Sequence, residues 1–435
     1  MRVISIKKYF EYYLSYLIIL LPILLITGPF LTDLSISILA VTSIFLIKNK
    51  KYFFNFYFLF FIFFYFLIII SSTFSDNVFL SFESSLFYFR FGLFSIIFWY
   101  LIENNKKILK KLYFILLVSF VVLMVDTFYQ YLNDFNLLNM PIIYSNRLSS
   151  LFGDELILGS YLTRLFPLIL ALHFFIYKKK INRKYIIFKI LFLFSILSTI
   201  YLSGERSSFF LFNFSIILFL IFLNDLRYEK ILIFLSYLSV VFFLIFLETP
   251  FKKRLVNQTL NQSGFLIDNK EKFIFSRQHQ EHYVSAWRMY RDNKFLGIGP
   301  KNFRVKCSEP KYRISEFTCS THPHNTYIQL LAETGFIGFL IIFLLLMFII
   351  FLLIKNFYYK IRYKKNIYNN LQISLMIAIL ISLWPITSTG NFFNNWLSVV
   401  YFMPVGILLW SFKENRRFYI SMQILRKKLI FLHKF

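Results

Sequence analysis

Charged residues are scarce in this sequence. Only 16% of its 435 residues are Asp, Glu, Lys or Arg, whereas about a quarter of the residues in soluble domains are charged. The apolar residues are grouped in runs of about 20, the length at which a helix crosses a bilayer. These runs are continuous rather than alternating, which excludes a transmembrane β-barrel. The composition therefore predicts an all-α protein that crosses a membrane many times.

Acidic residues are scarcer than basic ones: the chain has 21 Asp and Glu against 48 Lys and Arg, a net charge of +27. Nucleic acid is not the expected partner, because the basic residues lie in short segments between apolar runs, where the positive-inside rule puts them on the cytoplasmic side. No small-residue cleavage site follows the first apolar run, so we expect it to be a retained span. Both termini are basic and are expected to be cytoplasmic, and membrane lipids are expected partners.

The alternation of apolar runs and basic loops predicts about twelve spans. Three regions follow: residues 1–247 as an N-terminal bundle of about nine spans, 248–335 as a long extracytoplasmic loop before span ten, and 336–435 as three spans with a basic cytoplasmic tail. The predicted spans lie near Tyr13–Thr27, Leu34–Ile47, Phe53–Ser71, Leu86–Ile102, Leu112–Tyr131, Ile157–Tyr177, Ile186–Leu202, a return to Leu223, Ile231–Leu247, Phe336–Ile354, Leu371–Ile386 and Trp396–Trp410.

Positive charge is almost absent from the short outer segments, so four arginines stand out there: Arg90, Arg147, Arg164 and Arg206. A charge in or near a span is costly and usually has a partner or a function. Function is favoured for Arg206, which lies in the tight turn Ser203-Gly-Glu-Arg-Ser-Ser208 between two spans. For the others, snorkelling or pairing stays open. The candidate acidic partners are Glu205, Asp154, Asp126 and Glu83.

Histidine is also rare, and two of the six, His322 and His324, lie two residues apart directly before an apolar run. Pro323 can occupy the first turn of a helix, and Gly335 would break that helix. The pattern predicts a helix start that carries imidazoles at a membrane surface, with its positive dipole end free for an anion. The alternative is a re-entry segment with interfacial histidines.

Polar side chains continue along this helix. Asn325, Gln329 and Glu333 are spaced by four residues, so they fall on one stripe of the predicted helix.

The long outer loop contains an amphipathic pattern, because Tyr283, Trp287 and Tyr290 share one helical face. Such a helix either lies on the bilayer or packs inside the loop's own core. Arg277 and Arg288 lie on or beside it. The glycines that follow, in Lys294-Phe-Leu-Gly-Ile-Gly-Pro-Lys-Asn-Phe303, predict a tight turn rather than a dinucleotide site, since no βαβ pattern flanks them.

The chain has only two cysteines, Cys307 and Cys319, both in this loop. An extracytoplasmic compartment can oxidise them to a disulfide, which would fix the approach to His322. Two free thiols are the alternative.

Several of these segments together resemble the O-antigen ligase family of bacterial envelope glycan ligases and polymerases. The resemblance is carried by Trp287 with Phe295-Leu-Gly-Ile-Gly-Pro300, and by His322-Pro-His-Asn with Leu330-Leu-Ala-Glu-Thr-Gly-Phe-Ile-Gly338. Ser203–Ser208 and Arg147–Ser160 are similar to the family's earlier outer segments. The resemblance implies a GT-C-like membrane fold. It also implies an inverting glycosyltransferase that needs neither metal nor other cofactor.

The implied reaction moves a glycan from undecaprenyl diphosphate to lipid A–core or another glycan acceptor, at the periplasmic face of the bacterial inner membrane. The acceptor hydroxyl needs a base, and histidine has a suitable pKa of about 6.5. His324 is the first candidate and His322 the second. Without a metal, arginine can stabilise the leaving diphosphate, and Arg206 matches best. The expected substrate-binding residues are Arg147, Arg90, Arg164, Arg277, Arg288, Asn325 and Glu333.

Other functions remain open at this point. A glycan polymerase of the same family is the close alternative, and a protein-glycosylating transferase is a third. A transporter or lipid-carrier flippase is disfavoured, because transporters place polar sites near the midplane on broken helices, whereas the unusual polar residues here gather at the outer ends of spans.

Overall fold

A computed structural model describes residues 2–177, 183–224, 230–231, 234–235, 237–238, 241–242, 246, 249–262 and 275–432, with the backbone alone at 2–6, 183–186 and 415–432. The described residues form helices joined by turns, and no β-strand occurs among them. This confirms the predicted all-α class.

Thirteen helices carry the architecture of the described chain, and they are labelled here in chain order. They are α1 (Arg2–Thr27), α2 (Pro29–Leu46), α3 (Phe56–Thr73), α4 (Val78–Ser85), α5 (Phe89–Asn104), α6 (Lys107–Asn133), α7 (Leu158–Ile176), α8 (Arg183–Leu202), α9 (Arg206–Phe222), α10 (Arg277–Asp292), α11 (Thr326–Tyr363), α12 (Asn370–Ser382) and α13 (Asn395–Leu432). Short helical segments occur at Lys50–Tyr52, Ser150–Phe152, Pro250–Lys252, Lys253–Asn257, Gln258–Gln262 and Phe303–Lys306.

Eight helical segments are long and apolar enough to cross a membrane, and three shorter apolar helices accompany them at Ile187–Leu202, Arg206–Phe222 and Asn370–Ser382. Each of these helices overlaps a predicted span. The predicted ninth span, Ile231–Leu247, falls largely outside the described residues. The structure therefore confirms a multi-pass helical membrane protein, while the number of twelve spans, the GT-C-like fold and the sidedness stay predictions.

The centre of the bundle is formed by α5, α7, α12 and α13. All of α12 from Leu371 to Ser382 is buried, and it packs against α7, α13 and α9. A helix that is apolar all round is buried in a core or faces lipid. Helix α12 is buried in the core of the bundle. Small residues allow the close approach of α5 and α13: Ser95 Oγ donates to the Phe402 carbonyl at 3.0 Å, and Gly406 faces the Ser95 backbone.

The two ends of the bundle differ in composition. One end carries the lysine-rich segments that the sequence assigns to the cytoplasm. The other gathers most of the predicted outer segments, and polar residues of these segments line a large, open cavity.

Candidate functional site

The cavity has a volume of about 1490 Å³ and is lined by segments that are far apart in sequence. These segments are 25–29, 140–157, 205–211, 276–279, 321–324 and 388–397, together with single residues from α7 and the long loop. Its charged and imidazole side chains are Arg147, Arg164, Arg206, Arg254, Lys301, Arg304, His279, His322, His324, Asp154, Glu155 and Glu205. Positive charge therefore prevails on its walls.

Glu205 holds the start of α7. Its carboxylate accepts the N–H groups of Gly159 (2.6 Å) and Ser160 (3.0 Å), and the Ser208 hydroxyl donates to it at 2.8 Å. The first N–H groups of a helix lack partners inside the helix, and the positive end of the dipole favours a carboxylate. Burial raises the pKa of Glu205, and these hydrogen bonds oppose that rise. Glu205 is thus engaged by backbone N–H groups.

Three arginines, Arg147, Arg206 and Arg254, form what we call the arginine group. Arg147 donates to the Leu156 carbonyl at 3.2 Å, and Arg254 donates to the Gly204 carbonyl at 2.9 Å. Neither of these two forms an ion pair with a residue that the structure describes.

The members of the arginine group repel one another. Burial lowers the pKa of Arg147, and the neighbouring Arg254 and Arg206 lower it further, while Glu205 acts against them. Burial also lowers the pKa of Arg254. Like charges held this close disfavour the charged form unless an anion binds between them. The group is therefore a candidate anion site.

His322 is fixed through both ring nitrogens. Nδ1 lies 2.9 Å from Thr321 Oγ1, and Nε2 lies 3.1 Å from the Thr389 carbonyl oxygen. A carbonyl only accepts, so Nε2 carries the proton and Nδ1 accepts from the threonine hydroxyl. Neither nitrogen is left for a substrate, which makes His322 a positioning residue in this geometry.

His324 has a nitrogen to offer. Its Nε2 lies 2.9 Å from Ser320 Oγ, and Nδ1 forms no hydrogen bond to any described residue. His324 lines the cavity whereas Ser320 does not. Its backbone is held at φ +58°, and its carbonyl accepts the Thr389 N–H at 2.9 Å. A non-glycine residue in this left-handed region is uncommon and often marks a functional position.

Two further histidines, His279 and His282 of α10, complete a cluster around His324. The ring centroid of His324 lies 4.1 Å from that of His322, 5.2 Å from that of His279 and 5.4 Å from that of His282. His279 lines the cavity, whereas His282 is buried and does not. No group of three or more His, Cys, Asp or Glu among the described residues is arranged to hold a metal ion.

Burial keeps these imidazoles neutral. It lowers the pKa of His322 to about 3, of His324 to about 4 and of His279 to about 4, and the neighbouring imidazoles add to the effect. Burial also lowers the pKa of His282. Near neutral pH His324 is therefore unprotonated, the form in which an imidazole accepts a proton.

The helix after the histidines begins later than the sequence predicts. The helix begins at Thr326, and Pro323 lies outside it. The Asn325 side chain caps the helix by accepting the N–H groups of Tyr327 (3.0 Å) and Ile328 (3.2 Å). The expectation of an open anion site at this helix start is wrong, because the cap satisfies these donors. The break at Gly335 is confirmed, with φ +68° inside α11.

The polar stripe of α11 is buried and binds the turn before α13. Asn325 Nδ2 donates to the Pro385 carbonyl at 2.7 Å. Gln329 Nε2 donates to Asn391 Oδ1 and to Glu333 Oε2, both at 2.8 Å. Asn325 and Glu333 do not line the cavity, so their predicted substrate contact is not supported. These side chains instead help to fix the turn at 385–392. Thr389 of this turn holds His322 and His324.

The glycine turn packs on the break in α11. Gly299 donates to the Glu333 carbonyl at 3.0 Å, and Phe336 donates to the Lys294 carbonyl at 2.7 Å. A Cβ on Gly335 would lie 2.1 Å from the Phe295 carbonyl oxygen. Gly297 and Gly299 both have positive φ, at +69° and +91°. The predicted tight turn is confirmed. A Cβ on Gly297 would meet the backbone of Glu333 and Thr334, and one on Gly299 would meet the side chains of Ser75 and Ser81.

The helix α10 packs on a small core of the long loop, the second of the two predicted arrangements. Ala286 and Met289 are fully buried there with Phe303 and Cys307, whereas Trp287 is 47% exposed. Cys307 and Cys319 form a disulfide with Cα atoms 5.2 Å apart. The disulfide ties the segment before His322 to this core.

Three predicted substrate-binding arginines lie outside the cavity. Arg90 pairs with Asp33 at 2.7 Å, and Arg277 pairs with Glu281 at 3.3 Å. Arg288 is exposed on α10. The structure does not bring them to the other predicted residues, because each points to a partner or to the surface elsewhere. The acidic partner of Arg90, Asp33, was not among those considered from the sequence.

Arg164 does line the cavity, but it is largely buried in α7. Its guanidinium donates to Ser160 Oγ at 3.2 Å and lies over the Tyr401 ring, 5.7 Å from the centroid. It contributes positive charge from the cavity wall.

Sequence reasoning missed four cavity residues: Arg254, His279, Lys301 and Arg304. All lie in the long loop, where many basic residues give no signal for which ones face inward. Only His279 could be suspected from the sequence, because histidine is rare in the chain and His279 lies near the start of an amphipathic helix.

Comparison with known proteins agrees with the resemblance drawn from the sequence. No curated protein matches the chain. Residues 190–343 match the family model described as O-Antigen ligase. This stretch contains α9, α10, the glycine turn and the histidine segment. The match supports the resemblance to the O-antigen ligase family over this part of the chain.

Proposed function

We propose that this protein transfers a glycan from undecaprenyl diphosphate to an acceptor such as lipid A–core, at the periplasmic face of the bacterial inner membrane. The observation that carries the proposal is one cavity that is lined by both the arginine group and His324. A group that binds a diphosphate and a group that accepts a proton are the two parts that this transfer needs.

The arginine group is suited to the leaving diphosphate. Guanidinium groups form paired, charge-assisted hydrogen bonds with phosphate oxygens. The diphosphate becomes more negative as the bond between the sugar C1 and the phosphate oxygen breaks, and it keeps the electron pair of that bond. Positive charge fixed in place beforehand stabilises this state more than the ground state. Arg206 is the principal residue, with Arg147 and Arg254 beside it.

His324 is suited to the acceptor. The acceptor hydroxyl gives its proton to Nδ1 while its oxygen forms the new bond to C1. In this step Nε2 carries the proton and donates to Ser320 Oγ, the tautomer in which Nδ1 is the accepting nitrogen. A single displacement of this kind inverts the configuration at C1. We expect it to need no metal ion, because the arginine group supplies the positive charge.

The test is glycan transfer by the purified protein in EDTA, with a lipid diphosphate-linked oligosaccharide as donor and lipid A–core as acceptor. His324→Ala and Arg206→Ala are compared with Arg288→Ala, an exposed arginine outside the cavity. Loss of one preorganised charge or base typically costs about 10²–10⁴ in rate. We expect losses of this order in the first two variants and none in the third.

The products separate the candidate functions. Glycosylated lipid A–core supports the ligase. Longer lipid-linked chains would instead identify a polymerase, and lipid translocation in vesicles without any transfer would identify a transporter. Wild-type rates in both His324→Ala and Arg206→Ala would reject this assignment of the site.

A further inference from the structure

Two cavity cations belong to neither the arginine group nor α7: Lys301 and Arg304. We propose that they form a second anion subsite, which binds a phosphate carried by the acceptor. This inference rests on the proposed function, because it names the acceptor chemistry of the same cavity.

Lys301 and Arg304 are held rigidly by the two residues between them. Asn302 is buried and donates from Nδ2 to Ser81 Oγ at 2.6 Å. Phe303 is fully buried, and its N–H points to Glu333 Oε1 at 3.4 Å. These anchors fix the backbone on which the two cations are displayed.

Arg304 differs from the cations that follow it most closely in the loop. Lys306 pairs with Asp76, and Lys311 pairs with Asp292 at 2.8 Å. Arg313 donates to the Ser315 carbonyl and does not line the cavity. Arg304 lines the cavity and forms no ion pair with a described residue. Among the described residues, the one ion-pair partner of its neighbour Lys301 is the exposed Glu83, at 3.4 Å.

Three histidines, His279, His322 and His324, line the same cavity as the two groups of cations. After burial and the neighbouring imidazoles, Arg206 also lowers the pKa of His279, and Arg304 also lowers that of His322. His279 and His322 are both ring neighbours of His324. The electrostatic influence of each cationic group thus reaches a ring neighbour of His324.

Two separate groups of cations in one cavity fit two anionic substrates rather than one. The arginine group matches the donor diphosphate, which leaves Lys301 and Arg304 for a separate anion. A phosphate on the acceptor, bound by the Arg304 fork, would hold the acceptor hydroxyl beside His324. Positioning of this kind lowers the barrier by fixing the reacting groups in advance.

The experiment compares Arg304→Gln with Arg313→Gln, an arginine of the same loop outside the cavity. Transfer rates are measured against the concentration of intact lipid A–core and of lipid A–core treated with phosphatase. We expect Arg304→Gln to raise the KM for the intact acceptor about tenfold, the size of one charge-assisted bond. The KM for the donor should stay unchanged, and Arg313→Gln should behave as wild type. With the treated acceptor, Arg304→Gln and wild type should have the same KM.

An equal KM change with both acceptors would overturn the proposal, and so would an unchanged KM or an equal change in the KM for the donor. A lipid diphosphate-linked oligosaccharide offered as the only substrate separates the two sources of phosphate. A KM defect of Arg304→Gln confined to chain growth would assign the subsite to the diphosphate of a second lipid-linked glycan.

The subsite can also be tested if wild type transfers nothing, an outcome that would reject the proposed function. Binding of intact lipid A–core to the protein in nanodiscs then decides. A Kd about tenfold weaker in Arg304→Gln but not in Arg313→Gln supports the subsite, and equal Kd values reject it.

Discussion

The two ends of the helical bundle use the same charged residue types in different ways. At the lysine-rich end, Lys413 bonds both carboxylate oxygens of Glu103, at 2.5 and 2.7 Å, and Lys106 pairs with Glu414. At the cavity end, the Glu205 carboxylate binds backbone N–H groups, and Arg147 and Arg254 form no ion pair with a described residue. These two lysines are neutralised by ion pairs within the protein, whereas the positive charges of Arg147 and Arg254 are left for a ligand.

This difference separates structural charges from functional ones. Charges near or within membrane spans are costly and are retained where they have a partner or a function. At the lysine-rich end, Lys413 and Lys106 have acidic partners. The cavity end keeps several cations and neutral imidazoles together, an arrangement that becomes favourable when anionic substrates bind. We therefore expect substitutions at the cavity end to affect transfer and those at the opposite end to affect stability alone.

Glu205→Gln is the largest expected break in this comparison, because Glu205 lines the cavity and its carboxylate accepts backbone N–H groups. Its three hydrogen bonds hold α7 to the turn that carries Arg206. An amide offers one acceptor oxygen and sets an NH₂ group against a backbone N–H. We expect the free energy of unfolding to fall by about 1–3 kcal/mol and transfer to fall with it, measured by unfolding in detergent and by the transfer assay.

Glu155→Gln is the matched control, since Glu155 lines the same cavity but is exposed. It should change the free energy of unfolding by less than about 0.5 kcal/mol. Equal stability of the two variants would show that the start of α7 does not depend on Glu205.

Much of the bundle could be predicted from the sequence, because hydropathy and the distribution of lysine report directly on helices that must satisfy their own backbone in lipid. The segments that carry Arg147, Arg206 and His324 were predicted from rare residues in unusual places, and the structure brings them to one cavity. These signals are local: each depends on a residue type and its immediate surroundings.

The rest depends on contacts between distant segments. Thr389 holds His322 through its carbonyl and His324 through its N–H, yet its turn contains only uncharged residues and gives no chemical signal. The fixed roles of Asn325 and Glu333 could not be predicted for the same reason, because the helical stripe indicates a shared face but not its partner. Arg254 is one of many basic residues in a loop whose tertiary contacts alone decide which ones face the cavity.

The pH dependence of transfer tests whether His324 at the cavity end is the base. Burial lowers the pKa of its imidazole to about 4, so the base is available at pH values above about 4. We expect kcat/KM, which reports the free enzyme, to stay level from pH 7.5 to 5.5 as far as His324 determines it. A fall with a midpoint near pH 6.5, the ordinary pKa of histidine, would show that His324 is exposed to solvent or is not the base.

Stability should respond to pH in the same direction. The folded pKa values of His279, His322 and His324 lie below the unfolded value. Between the unfolded and folded values the unfolded chain binds more protons, so the free energy of unfolding falls as the pH is lowered from about 6.5 towards 4. His279→Gln should make this dependence shallower in thermal unfolding, and an unchanged slope would contradict the burial of His279.

The smallest expected effect belongs to the lysine-rich end. Lys106 and Glu414 form an ion pair whose side chains are 51% and 40% exposed. Exposed pairs contribute about 0–1 kcal/mol, and salt weakens them. Lys106→Gln should therefore lower the free energy of unfolding by less than about 1 kcal/mol and leave transfer unchanged, and the difference from wild type should shrink at high salt. Lys106 lies at the end of the bundle opposite the cavity, so the transfer assay is the decisive measurement. A loss of transfer in a stable Lys106→Gln protein would mean that charge at this end also serves the reaction.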